Sequence, residues 1–164
     1  MRLHFSILIL LVFTGSLIAQ KDSRFNFNKI QSGPYFGIQQ GRNIVVELGY
    51  ERRNKGIQFK SPNTHAFDLG ANYDYKAKLV GADLGYWFRP NRIGFTFGAQ
   101  VAARTNFNKA MFGVSPLIGY KIWLLHANAG YNWYPNKISG VYTNTLFVSV
   151  RLMLVNKSKI KRKE

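Results

Sequence analysis

The side chains best suited to acid–base or nucleophilic chemistry are scarce in this sequence of 164 residues. Its histidines are His4, His65 and His126, and it has no cysteine. A hydrolase would need a nucleophile beside a base that a carboxylate orients. His126 shares a polar face with Ser115 and Ser149, but no G-x-S-x-G motif accompanies any serine. The pattern therefore predicts no catalytic residues and no enzyme.

Metal and cofactor sites are poorly supplied as well. The few histidines, without cysteine, give a transition-metal site too few ligands. The sequence contains no glycine-rich phosphate loop and no calcium loop. We therefore predict no metal-binding residues, no cofactor-binding residues and no cofactor. A disulfide framework is excluded by the missing cysteines.

The first nineteen residues have the pattern of an export signal. A short basic start, residues 1–4, precedes an apolar run over residues 5–18 and the small residue Ala19. This order is typical of a secretory signal peptide, and the run is shorter than the roughly 20 apolar residues of a membrane-spanning helix. We predict cleavage after Ala19. The chain is strongly basic, with 23 Lys+Arg against 7 Asp+Glu, but export makes nucleic acid an unexpected partner.

The rest of the chain alternates between apolar and polar residues with the period of a β-strand. Eight such segments are separated by turn-forming residues. They cover residues 33–40, 44–53, 64–75, 77–89, 93–104, 111–122, 124–134 and 143–154. We therefore divide the chain into a signal peptide (1–19), an N-terminal periplasmic segment (20–32), a β-barrel (33–154) and a basic C-terminal tail (155–164).

Glycines indicate which face of the strands is the inner one. Eleven of them lie inside the predicted strands, and all fall on the polar face. Three carboxylates, Glu47, Asp68 and Asp83, fall on the same face. A closed narrow barrel that meets lipid on the outside needs small and polar residues inside. The opposite face carries residues such as Phe95 and Phe97, so the pattern predicts an apolar exterior.

Taken together, the signal peptide, the eight amphipathic strands, the tight turns and the aromatic residues near strand ends resemble the small eight-stranded outer-membrane barrels of the OmpA/OmpX type. The resemblance implies an all-β fold, a closed antiparallel eight-stranded up-and-down transmembrane β-barrel. It also implies location in the outer membrane of a two-membraned bacterium, with membrane lipid as a partner. The implied role is structural or adhesive, or accessory to a larger assembly of the cell envelope.

The predicted lumen contains as many cations as anions. Three basic residues, Arg104, Lys121 and Arg151, share the inner face with the three carboxylates Glu47, Asp68 and Asp83. Isolated buried charges cost several kcal/mol, so we expect these six residues to pair in one network. Eight strands enclose a space just wide enough for side chains to fill. We therefore expect a plugged lumen.

Most of the other basic residues gather on the predicted periplasmic side. This basic face comprises Arg52, Arg53, Lys55, Arg89, Arg92, Lys157, Lys159, Lys161, Arg162 and Lys163. We place Glu51 at the rim of the same side. Clustered Lys and Arg near a membrane attract anionic headgroups, so possible partners are an anionic lipid, an anionic polymer or an acidic envelope protein. The alternative for residues 155–164 is a solvated, disordered tail.

Two other functions stay open. A secreted soluble β-barrel that binds an apolar ligand, lipocalin-like in shape, would place the Phe95 and Phe97 face inside. A barrel-embedded lipid hydrolase would depend on His126. The first is tested by which face is buried, and the second by the loss of activity on His126→Ala.

Overall fold

The computed structural model describes residues 27–57, 62–90, 93–136, 138 and 140–162. The predicted signal peptide and residues 20–26 of the predicted N-terminal segment lie outside these ranges. Arg92 and Lys163 of the predicted basic face lie outside them too. In the described part of the chain, no helix is long and apolar enough to cross a membrane.

The described residues form nine antiparallel β-strands. In chain order they are β1 (Phe27–Gln40), β2 (Ile44–Ile57), β3 (Thr64–Asp74), β4 (Leu79–Arg89), β5 (Phe95–Thr105), β6 (Ala110–Ile122), β7 (Leu125–Tyr131), β8 (Leu146–Met153) and β9 (Lys157–Arg162). From β1 to β8 each strand pairs with the next, and β1 also pairs with β8. Gly37 of β1 thus lies between Glu47 and Arg151. The sheet closes, and the predicted eight-stranded antiparallel up-and-down barrel is confirmed.

Side chains alternate between the two sides of the barrel wall. β3 is regular throughout, with every second residue from Thr64 to Asp74 buried and the residues between them exposed. Phe67 and Leu69 are 62% and 61% exposed, whereas Asp68 between them is 3% exposed. A soluble barrel buries its apolar face. This wall is inverted, with polar side chains inside and large apolar ones outside.

The wall extends beyond the predicted strand boundaries at one end. β1 begins at Phe27, and its first six residues pair with β2 on one side and with β9 on the other. β9 continues the line of β8, since Met153 pairs with Tyr35 and Lys157 with Ser32. Lys157 is four residues after Met153, whereas Ser32 is three residues before Tyr35. The extra residue on the β8–β9 side is the mark of a β-bulge.

Gly33 lies opposite this bulge, and its lack of a side chain leaves space for the bulged backbone. A Cβ atom at that position would collide with the carbonyl oxygen of Leu154. The predicted boundaries at residues 33 and 154 therefore differ from the structure. Residues 27–32 continue β1, and residues 157–162 are a paired strand rather than a solvated tail. The alternation of β8 does not reveal this continuation because the bulge shifts its phase by one residue.

The barrel has two unlike ends. The distal end carries the β1–β2, β3–β4 and β5–β6 turns and the long β7–β8 connection, residues 132–145. Leu79, Ala102 and Met111 form a buried apolar cluster there with Tyr134 and Ile138 of that connection. The opposite end carries the start of β1, β9 and the other three connections. We call the opposite end the basic mouth.

Amide side chains fasten the β7–β8 connection to the distal end. Asn144 Oδ1 accepts a hydrogen bond from the Asn43 backbone N–H at 2.7 Å, and Asn144 Nδ2 donates to the Asn43 carbonyl oxygen at 2.9 Å. Asn43 Nδ2 donates to Asp74 Oδ2 at 2.8 Å. Asn132 Nδ2 donates to the Asn144 carbonyl oxygen at 2.6 Å. These bonds join the β1–β2 turn and the β7–β8 connection to the end of β3.

Candidate functional site

The first group of charges in the barrel interior is centred on Arg151 of β8. Its Nε donates to Glu47 Oε2 at 2.6 Å, and its Nη1 donates to Asp68 Oδ1 at 3.2 Å. The third nitrogen, Nη2, faces Gln100 Oε1 at 3.4 Å. A single buried guanidinium thus compensates two carboxylates that belong to β2 and β3.

A second group joins β4 to β5. Arg104 donates to Asp83 through Nη1 at 2.6 Å and through Nη2 at 3.2 Å, in the two-pronged geometry that suits a guanidinium and a carboxylate. Asn72 Nδ2 donates to Asp83 Oδ2 at 2.6 Å. Gly81 makes room for this group, because a Cβ there would lie 2.5 Å from both Arg104 Cδ and Asn72 Oδ1.

The third group lies at the basic mouth and is centred on Glu51. Its Oε1 is 3.1 Å from Lys121 Nζ and 3.1 Å from Arg53 Nε. Its Oε2 accepts a hydrogen bond from Trp87 Nε1 at 3.3 Å. Arg53 also donates through Nη1 to the Trp123 carbonyl oxygen at 3.3 Å, and its Nη2 contacts Met153 Sδ. One carboxylate therefore serves two buried cations.

The six residues of the predicted lumen network are all buried, but they do not form one network. Five of them make up the first two groups, and Lys121 pairs instead with Glu51. We expected Glu51 at the periplasmic rim and Arg53 on the basic periplasmic face, and the structure buries both side chains, at 2% and 7% exposed. The sequence signal for both was the phase of β2. Glu47, Glu51 and Arg53 are separated by even numbers of residues and therefore share one face.

A cavity of about 470 Å³ opens beside the third group. Five cationic side chains line it, namely Lys29, Arg53, Lys55, Arg89 and Lys121. Gln31, Thr64, Trp87, Trp123, Leu124 and Val155 also line it. We call this space the mouth cavity. Three residues of the predicted basic face therefore meet there, together with Lys121 from the predicted lumen network.

The remaining residues of the predicted basic face lie elsewhere. Arg52 is exposed and points away from the interior, opposite Ser32. Lys157 lies opposite the same serine on its other side, and Lys159 and Lys161 share the exposed face of β9. Arg162 pairs through its backbone with Phe27. The basic residues thus fall into an inner set around the mouth cavity and an outer set on the extended wall.

His126 is buried against polar and aromatic neighbours. Its Nε2 is 2.9 Å from Thr96 Oγ1, and its ring lies 4.9 Å from that of Trp87. Ser115 Oγ donates to Asn132 Oδ1 and not to the histidine. No hydrogen bond within the described residues joins His126 to a carboxylate, which a catalytic triad requires. The absence of enzymatic activity stays a prediction.

The other histidine of the described chain is partnered on the outside of the barrel. His65 Nδ1 is 2.7 Å from the Tyr86 hydroxyl, and its ring lies 4.9 Å from that of Phe88. Over the residues that the structure describes, no three His, Asp or Glu side chains come close enough together to hold a metal ion.

Comparisons with known proteins give one distant likeness. No protein-family model matches the chain, and none of the curated proteins matches it. Among solved structures, the chain is similar to the crystal structure of Neisserial surface protein A, with 14% sequence identity and a TM-score of 0.31. The match covers 77% of this chain and 97% of that one. The fold therefore rests on the strand pairing described above.

Proposed function

We propose that this chain is a small β-barrel of the outer membrane of a two-membraned bacterium, with a plugged polar lumen and a structural, adhesive or accessory role in the cell envelope. The observation that carries the proposal is the band of large apolar side chains around the outside of a closed barrel. Leu84, Phe95, Val101 and Ile118 are each more than 50% exposed on four different positions of this wall. In water such a continuous surface would be costly.

A membrane makes the same surface favourable. Lipid offers the backbone no hydrogen-bond partners, so a sheet can cross a membrane only when its edges are paired, as they are when β1 meets β8. Exposed Tyr and Trp side chains near strand ends, such as Tyr120, Tyr131 and Trp133, suit the two interfaces. We place the basic mouth on the periplasmic side. In a barrel with an even number of strands, both termini of the chain lie on that side.

The interior supports a plugged lumen. Side chains from facing strands meet across it, as Arg151 of β8 does with Asp68 of β3 and Gln100 of β5. The same observation weighs against the lipocalin-like alternative, because an apolar ligand needs an apolar interior. It also leaves little room for a substrate beside His126, which is 1% exposed.

The proposal includes signal-peptide cleavage and partners for the basic residues. Membrane lipid would surround the apolar band. The outer set, Arg52 and the lysines of β9, would meet an anionic lipid, an anionic polymer or an acidic envelope protein through long-range attraction. The closely spaced lysines Lys157, Lys159 and Lys161 on one exposed face support this assignment.

Fractionation and two matched variants test the membrane assignment. The full chain is expressed, outer membranes are separated, and samples are run on a detergent gel with and without boiling. We expect outer-membrane location and faster migration of the unheated band. Leu84→Arg should abolish assembly, because a central arginine on the lipid side costs about 2–4 kcal/mol. Phe107→Arg, in the exposed β5–β6 turn, should assemble normally.

A soluble barrel would behave in the opposite way. Leu84 is 57% exposed, so in a water-soluble protein the Leu84→Arg variant would fold as well as the Phe107→Arg variant. Recovery of both variants as soluble, folded protein would refute the membrane assignment.

A further inference from the structure

We propose that the mouth cavity binds a phosphate group, either as part of a small organic molecule such as a lipid headgroup or free in solution. If the phosphate group belongs to a lipid of the periplasmic leaflet, that part of the proposal rests on the proposed function.

Cationic side chains outnumber carboxylates around the mouth cavity. Lys29, Arg53, Lys55, Arg89 and Lys121 all line the cavity, and Glu51 contacts two of them. The other carboxylates of the described chain are engaged elsewhere. Glu47 and Asp68 bind Arg151, Asp83 binds Arg104, and Asp74 lies at the distal end. Among the described residues, the side chains around the cavity include more cations than carboxylates, and a phosphate group supplies up to two negative charges.

The register of β1 and β2 places like charges side by side. Lys29 lies directly opposite Lys55, and Gln31 lies opposite Arg53. These four side chains share the face that lines the cavity. Like charges at directly opposed positions destabilise a sheet, and a bound anion between them turns the repulsion into attraction.

One hydrogen-bond donor at the mouth cavity lacks an acceptor. Arg89 Nε is buried and has no hydrogen-bond partner, while Arg89 Nη2 donates to Thr64 Oγ1 at 3.2 Å. Buried donors in proteins normally have acceptors. A guanidinium presents several donors in one plane, which matches the oxygens of a phosphate. An anion in the cavity would supply the acceptor that Arg89 Nε lacks.

The size and walls of the cavity favour a compact ligand over a polymer. Its volume of about 470 Å³ is within the range of small-molecule sites, roughly 300–1,000 Å³. Trp87, Trp123, Leu124 and Val155 provide an apolar wall beside the cations. A phosphate ester with a small apolar part would contact both surfaces, whereas inorganic phosphate would contact only the cations.

Binding can be measured on the full chain folded in a zwitterionic detergent. The probes are inorganic phosphate, short-chain phosphatidic acid and, as a control without a phosphate group, short-chain diacylglycerol. Tryptophan fluorescence reports on the site because Trp87 and Trp123 line it, and calorimetry gives the affinity. We expect saturable binding of at least one phosphate probe and none of the control. Tighter binding of phosphatidic acid would identify a headgroup, and equal or weaker binding would identify free phosphate.

Two arginines at the same end provide matched variants. Arg89→Gln should weaken binding about tenfold, the loss expected for one charge-assisted hydrogen bond. Arg52→Gln removes the same charge from the exposed side of β2 and should change affinity about twofold or less. If Arg89→Gln does not fold, as judged by the unheated band, Lys29→Gln replaces it.

Two results would overturn the proposal. One is the absence of saturable binding by either phosphate probe, and the other is an equal loss of affinity in Arg52→Gln and Arg89→Gln. Failure of the membrane assignment would be visible separately, in the fractionation of the unmodified chain, and would leave the binding result unaffected.

Discussion

The same alternation of inward and outward side chains runs to both ends of the barrel, but different side chains occupy the interior at each end. At the distal end, amide side chains and the cluster around Met111 fill the interior, and Asp74 has its partners in Asn43 and the Ala77 backbone N–H. At the basic mouth, five cations surround a cavity, and Glu51 contacts two of them. The distal end thus holds an apolar cluster and a carboxylate bound by neutral donors, whereas the mouth gathers buried and half-buried cations.

Connection length accounts for much of this difference. The long β7–β8 connection folds back, so that Tyr134 and Ile138 pack against Leu79 and Ala102. At the mouth the β6–β7 turn consists of residues 123–124, and Trp123 adopts a left-handed backbone conformation with φ of 50°. The β6–β7 turn is too short to fold into the barrel, so its residues line the mouth cavity without filling it.

The largest effect is expected from Glu51→Gln at the mouth. It leaves Lys121 and Arg53 buried without their carboxylate, which should cost about 3–5 kcal/mol of folding free energy. The measurement is the urea midpoint of the barrel folded in detergent micelles. Phosphate in the buffer should restore part of the loss in this variant. A loss of less than 1 kcal/mol would show that the mouth is more hydrated than its burial indicates.

A second test addresses the packed end. Met111→Ala removes a side chain that is 2% exposed in the distal cluster, and we expect a loss of about 2–5 kcal/mol from transfer and cavity terms. Unlike the loss in Glu51→Gln, this one should not respond to phosphate. The matched variant is Met153→Ala at the mouth. It removes a buried methionine of the same size and also the sulfur atom that Arg53 contacts. A phosphate response in Met111→Ala would mean that the two ends are coupled.

The alternation of apolar and polar residues predicted most of the fold, because side chains in a strand have a period of two. It correctly indicated that Glu47, Asp68 and Arg151 face inward. The pairing of Lys121 with Glu51 was missed, because Glu51 was assigned to the rim although it shares the inner face of β2 with Glu47. β9 was missed for a related reason, since the bulge opposite Gly33 interrupts the pattern.

A smaller effect is expected where amides, not charges, hold the distal end. Asn144→Ala removes the acceptor for the Asn43 N–H and the donor to the Asn43 carbonyl, so we expect a loss of about 1–3 kcal/mol. The loss should be insensitive to added salt, because no ion pair is broken. Asn108→Ala, in the exposed β5–β6 turn, should have almost no effect. Equal losses in the two variants would indicate that the connection is not fastened by these bonds.

The smallest effect is expected on the outer set of cations. Lys159→Gln alters an exposed residue opposite Ile30, and exposed charges contribute little, so the urea midpoint should move by less than about 0.5 kcal/mol. The same substitution should weaken adsorption to vesicles that contain anionic lipid, and should leave phosphate affinity at the mouth cavity unchanged. The inner and outer cations would then be separable, one set acting through a shaped cavity and the other through long-range attraction. A loss of phosphate affinity in Lys159→Gln equal to that in Arg89→Gln would show that the mouth behaves as one diffuse field of charge, and the contrast between the two ends would reduce to net charge alone.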